Sequence, residues 1–86
     1  MEVSFHHTFK KRYRKISTSE QKKCDERIAI FMREPFHRLL NNHALSGTYH
    51  GYRSINVTGD LRAMYEPVSE NSAFFILLGS HAELYG

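Results

Sequence analysis

From Glu2 to His6 apolar and polar residues alternate, with Val3 and Phe5 on one side, and the pattern predicts a short strand. The period then lengthens. Phe9, Tyr13 and Ile16 recur at i, i+4 and i+7, while Lys10, Lys11, Arg12, Arg14 and Lys15 occupy the remaining surface. That spacing predicts an amphipathic helix over Thr8–Ile16 with a basic outer side. Ser17 stands three residues before Glu20, the spacing at which the two side chains cap each other's backbone N–H. A second helix is predicted from there to about Arg33, with Cys24, Ile28, Phe31 and Met32 along its apolar stripe. Pro35 ends it, because a proline disfavours helical geometry in the residue before it, here Glu34.

Beyond Pro35 the helical period is lost. Leu39 and Leu40 predict a short helical turn, Leu45-Ser46-Gly47 a short strand with a turn glycine, and Tyr52–Val57 an alternating strand. Thr58-Gly59-Asp60 marks a tight turn into a strand over Leu61–Glu66, which Pro67 is expected to stop. Ser69–Ser72 reads as a hairpin loop, Ala73–Gly79 as a buried strand, and Ser80–Gly86 as a short tail. Turn-linked strands in succession favour antiparallel pairing. The predicted class is therefore α+β: a short N-terminal strand and two helices packed on one face of a mainly antiparallel sheet of about four strands.

Eighty-six residues with 41% hydrophobic composition form one domain with one modest core, over 1–86. The longest uninterrupted apolar run, Ala73 to Leu78, is too short to cross a bilayer, so no membrane partner is expected. The first residues lack the layout of a signal peptide, and the expected address is the cytoplasm. A lone Cys24 excludes an internal disulfide and a cysteine zinc cluster. Charge changes the picture more. Residues 1–40 carry a net +5 and residues 41–86 a net −2, so the overall +3 hides a strongly basic first half. Such a split points to an anionic partner, nucleic acid or an acidic protein, against the plainer alternative of a solvated helix face.

Six histidines are many for this length, and His43, His50 and His81 fall in the net-acidic half. Histidine takes and gives a proton near neutrality. A ribonuclease that uses the RNA 2′-hydroxyl as nucleophile needs a base, an acid and cations around the phosphate, and no metal or other cofactor. Arg53 and Arg62 are the other bases of that half, both in predicted strands, where pairing with Asp60 or Glu66 is the structural alternative. No metal site is expected: His6 and His7 would point to opposite faces of a strand, and no H-x-x-x-H or C-x-x-C spacing occurs. Phe9, Tyr13, Phe31, Phe74 and Phe75 read as core, whereas Tyr49, Tyr52 and Tyr85 flank histidines or arginines, where a ring can stack on a base.

The runs His43-Ala-Leu-Ser-Gly47, Gly51-Tyr-Arg-Ser-Ile55, Asp60-Leu-Arg-Ala-Met-Tyr65 and Gly79-Ser-His-Ala-Glu-Leu-Tyr-Gly86 together resemble the RelE superfamily of bacterial toxins, and within it the YafQ branch. The resemblance implies a RelE/ParE-like fold and a ribosome-dependent mRNA interferase of a type II toxin–antitoxin module, acting on mRNA in the ribosomal A site. A cognate antitoxin would neutralise it, and the pair would bind operator DNA. Carried over by position, the functional residues are His43, Asp60, His81 and Tyr85, with Arg62 on the strand where RelE-type members hold a catalytic arginine. Arg53 matches a basic strand position of the superfamily. Lys10, Lys11, Arg12, Arg14 and Lys15 are candidate contacts to ribosomal RNA. Two positions depart from the branch: Asn56 stands where a third histidine is expected, and Leu61 replaces an aromatic residue. By strand period, Asp60 and Arg62 should share a face, the carboxylate orienting a histidine and the guanidinium holding the phosphate. ParE-like toxins, which inhibit DNA gyrase without cutting RNA, are the alternative, and a toxin reduced to antitoxin binding is a third reading.

Overall fold

The computed structural model describes residues 1–85, ordered as a mixed five-stranded sheet with two helices on one face and a short third helix after the last strand. Strand β1 is Glu2–Phe5. Helix α1 is His7–Tyr13 and α2 is Thr18–Arg33. Strands β2 (His43–Ala44), β3 (Arg53–Asn56), β4 (Leu61–Ser69) and β5 (Ser72–Ser80) follow, and then α3 (His81–Tyr85).

The Ser17–Glu20 capping box forms in both directions, each bond at 3.1 Å, and starts α2 where the sequence put it. Glu34 leaves helical geometry, with φ −150° and ψ 87°, as the residue before Pro35 must. Helix α1 stops at Tyr13, short of Ile16, which still packs against the core from the connecting turn. His6 is not a strand residue. Its side chain caps α1 by accepting from the Thr8 N–H at 3.0 Å, so the His6 and His7 rings lie 4.2 Å apart instead of on opposite faces.

The strand order is β1-β5-β4-β3-β2, with β1 parallel to β5 and every other pairing antiparallel. Register sorts the side chains. Ile55, Ala63, Tyr65, Ala73 and Phe75 face the helices and meet Phe9, Cys24, Ile28 and Phe31 in one buried cluster. Phe31 stands edge-on to both Tyr65 and Phe75, with centroids 4.8 and 5.2 Å away. On the opposite face lie His43, Ser54, Asn56, Arg62, Met64, Leu77 and Gly79. The β4–β5 ladder slips twice, between Pro67 and Ser69 and between Met64 and Tyr65; the second slip leaves Ile76 opposite no residue, so that Phe75 and Leu78 both reach the helix side.

Three further boundaries differ from the sequence reading. The strand expected at Leu45-Ser46-Gly47 forms two residues earlier, and Gly47–Tyr49 is a single 3₁₀ turn entered with Gly47 at φ +64°. Pro67 does not stop β4. Because β3 begins opposite Tyr65, the far end of β4 is bonded on one side only, where a missing N–H is tolerated. The segment expected as a tail is helix α3, closed by a second capping box: Ser80 Oγ accepts from the Glu83 N–H at 3.1 Å, and Glu83 Oε1 from the Ser80 N–H at 2.8 Å.

Candidate active site

His43, Arg62, His81 and Tyr85 converge with Asn41 and Leu45 on a cleft of about 390 Å³ on the face away from the helices. Each wall has a distinct local cause. Asn41 adopts a left-handed backbone, φ 45°, and turns its carbonyl onto His43 Nδ1 at 2.8 Å. A carbonyl can only accept, so Nδ1 carries the hydrogen and Nε2 is left as the position that gains or loses a proton.

Arg62 is clamped to the turn that precedes it. Nη1 donates to Thr58 O at 2.9 Å and Leu61 O at 3.2 Å, and Nη2 donates to Gly59 O at 3.1 Å. A guanidinium has five N–H donors, so Nε–H and one Nη2–H have no partner among the described residues. Neither Arg62 nor Arg53 pairs with Asp60 or Glu66; the ion pairs among the described residues are Arg12–Glu83 and Lys23–Glu26.

His81 and Tyr85 sit four residues apart on α3, ring centroids 4.8 Å apart, and Tyr85 is 40% exposed. Tyr49 braces that helix by donating to Leu84 O at 3.0 Å and by standing edge-on to Tyr85. Asp60 does not touch an imidazole. Its carbonyl and carboxylate oxygens accept from the His81 backbone N–H at 3.1 and 3.3 Å, which ties the turn bearing Arg62 to the start of α3. Glu83 is held below the usual carboxylate range, chiefly by the Ser80 N–H and then by Arg12.

Arg53 lies outside the cleft. Its register puts it on the helix side, where Nε donates to Asn42 Oδ1 at 2.8 Å and the guanidinium stands 5.2 Å from the Phe36 ring centroid. Asn56 is opposite Arg62 across β3 and β4 on the cleft face, and its Oδ1 is buried without a hydrogen-bond partner. The sequence reading also passed over Asn41 and Leu45, which no chemical motif distinguishes. Among the described residues no three His, Cys, Asp or Glu side chains are grouped so as to hold a metal ion.

A second, apolar trough of about 430 Å³ lies between α1 and α2, lined by Phe5, Phe9, Tyr13, Ile28 and Met32 and edged by Lys10 and Arg14. It holds no histidine and one carboxylate, Asp25, which accepts from the Tyr13 hydroxyl at 2.7 Å and raises that phenol to about 12. Lys11 and Lys15 are exposed on the same helix and its exit turn. Among the described residues no helix is long and apolar enough to cross a membrane.

This architecture is that of small toxins of known structure. E. coli YafQ superposes with a TM-score of 0.76 at 20% identity, over 99% of this chain and 98% of that one. The YoeB/ParE toxin from Agrobacterium tumefaciens gives 0.77 at 22% identity, over 94% and 99%. The E. coli DinJ-YafQ complex gives 0.75 at 19% identity, over 99% and 98%. No protein of curated function matches the sequence at a significant level. A family model described as the bacterial toxin of the type II toxin–antitoxin system, YafQ, matches residues 1–86, and the chain belongs to that family.

Proposed function

We propose that this toxin is a ribosome-dependent mRNA interferase that cleaves mRNA by acid–base transfer through the RNA 2′-hydroxyl, without a metal ion. The observation that carries the reading is the convergence of two histidines, one with its tautomer fixed, and a guanidinium with unused donors on one cleft. His43 Nε2 takes the 2′ proton. The 2′-oxygen attacks phosphorus, the bond to the 5′-oxygen breaks, and His81 protonates that leaving oxygen. The Nε–H and free Nη2–H of Arg62 bind the phosphate as its charge builds. Tyr85 stacks on a base. Asp60 acts on His81 through its backbone, and Asn56, unable to carry a proton, leaves the base role to His43.

The cationic side of α1 and its exit turn, with Lys10, Lys11, Arg14 and Lys15, suits contact with ribosomal RNA. The apolar trough with its basic edge suits an acidic amphipathic segment of a cognate antitoxin, and the complex would act on operator DNA in the cytoplasm. Arg53, stacked on Phe36, is not assigned to the RNA.

The test is cleavage of an mRNA positioned on purified ribosomes, comparing wild type with His81→Ala and His43→Ala. A positioned acid or base contributes roughly 10²–10⁴-fold, or about 3–5 kcal/mol of barrier, and each variant should lose that much with an unchanged melting temperature. No cleavage by the wild type would refute the reading. Equal cleavage by wild type and both variants would move the chemistry elsewhere.

A further inference from the structure

Arg12 differs from its neighbours on α1. Lys10, Lys11, Arg14 and Lys15 have no ion-pair partner among the described residues, whereas Arg12 Nη2 donates to Glu83 Oε1, 71 positions away on α3. The Arg12 Nε is buried without a partner, while the side chain as a whole is 38% exposed and that of Glu83 44% exposed, so the pair lies at the surface with its inner edge covered. The same Glu83 oxygen accepts from the Ser80 N–H, so one atom both caps α3 and ties it to α1.

A five-residue helix cannot hold itself, because nucleation costs more than so few bonds return. Its position comes from tertiary anchors. Asp60 holds the His81 N–H, and Tyr49 holds Leu84 O. Leu84 also lies over Gly79, where an added Cβ would be 3.4 Å from its side chain. Arg12 supplies the only side-chain ion pair to α3 among the described residues. Rotation of so short a helix by a fraction of a turn would carry both His81 and Tyr85 off the cleft.

We propose that Arg12 and Glu83 are positioning residues, whose ion pair sets the orientation of α3 and thereby aims the His81 imidazole and the Tyr85 ring into the cleft. The consequence for rate rests on the ribonuclease reading; the consequence for the geometry of α3 does not. Arg12 is accordingly excluded from the RNA-binding face despite its sequence context.

Glu83→Gln separates the two jobs of that side chain. Glutamine at this position still closes a capping box, but it offers Arg12 no charge. Arg12→Ala removes the other half of the pair. The first measurement is NMR on the purified protein: ring-to-ring contacts between His81 and Tyr85, and hydrogen exchange of the α3 amides. Both variants should keep the sheet signals, lose the ring contacts and exchange α3 amides faster. The second is single-turnover cleavage of mRNA on ribosomes. Each variant should lose about 10²-fold in saturating rate, the scale of a small misplacement of reacting groups. The half-saturating toxin concentration should stay at the wild-type value, and the double variant should be no slower than either single.

Unchanged ring contacts and exchange would overturn the proposal whatever the activity. So would a loosened α3 with a wild-type saturating rate, or a raised half-saturating concentration that adds between the two substitutions, which would make Arg12 an RNA contact. If the wild type cuts nothing, the ribonuclease reading falls, and the NMR result still decides the geometry.

Discussion

Arg62→Lys separates a need for positive charge from a need for a guanidinium. In the native side chain, three N–H groups satisfy Thr58 O, Gly59 O and Leu61 O, and two remain for a ligand. Lysine keeps the charge but carries its donors on one nitrogen, so it cannot both hold the turn and offer two parallel bonds to a phosphate. Hydrogen bonds to charged groups contribute about 1.5–3 kcal/mol each when dry. Arg62 is half-buried, and water replaces part of what is lost, so the expected cost to stability is about 1–3 kcal/mol in total. On the proposed ribonuclease mechanism the cost to catalysis is larger. Removing one preorganised donor to a transition-state oxygen typically lowers the rate about 10²–10³-fold, or about 2.7–4 kcal/mol. Urea unfolding of the purified variant measures the first quantity, and single-turnover cleavage on ribosomes at saturating toxin measures the second. Arg62→Ala serves as the reference for total loss. A lysine variant that cuts within a few-fold of wild type would show that the geometry assigned to the guanidinium is not used.

Three further outcomes are expected. Phe31→Ala, in a fully buried position between Tyr65 and Phe75, should cost about 3–5 kcal/mol by urea unfolding, a large share of what a chain this size commands, and a loss under 1 kcal/mol would contradict the packing. Cys24 is 1% exposed, and burial pushes its thiol up to about 12, with Asp25 adding to the shift; iodoacetamide near pH 8 should therefore leave the native protein unmodified and label it fully in urea. Tyr13 is raised from 10.0 to about 12 by its bond to Asp25, so the neutral phenol is favoured in the folded state, and its contribution is complete below pH 10 and lost as pH rises towards 12. Asp25→Asn should advance that alkaline loss, read as phenolate absorbance against pH.

Local signals carried much of the fold. Ser17 and Glu20 fixed the start of α2, Pro35 its end, and alternation found β3 and most of β4. An equivalent signal was present at Ser80 and Glu83 and was passed over, because the short apolar stretch after it shows no helical period; the box alone marks α3. The parallel pairing of Glu2–Phe5 with Ser72–Phe75 joins segments some seventy residues apart and leaves no trace in either pattern. At the site, residue type was informative and orientation was not. His43, Arg62, His81 and Tyr85 share the cleft, but Arg53, one strand position from Ser54, falls on the opposite face. Asp60 serves a backbone N–H where a side-chain partner was expected, because the turn takes it out of strand period. By its sequence context Arg12 is one more surface cation, and its partner on α3 lies 71 positions away, beyond the reach of any local pattern.

The unpaired Ile76 gives β5 a fixed phase. Before it, odd-numbered residues such as Ala73 and Phe75 face the helices; after it, Leu78 does, and Gly79 comes to lie beside Arg62. A strand shortened by that single residue would still find partners along β4, yet core and chemistry would become rivals. Either Leu78 would keep its place among the helices, or Gly79 and the helix that follows would keep theirs beside the cleft. The number of residues between Phe75 and His81 is thus a constraint as strict as any side chain in the cleft. Loss or gain of one residue there would separate the packing of the core from the geometry of the cleft without altering a side chain in either.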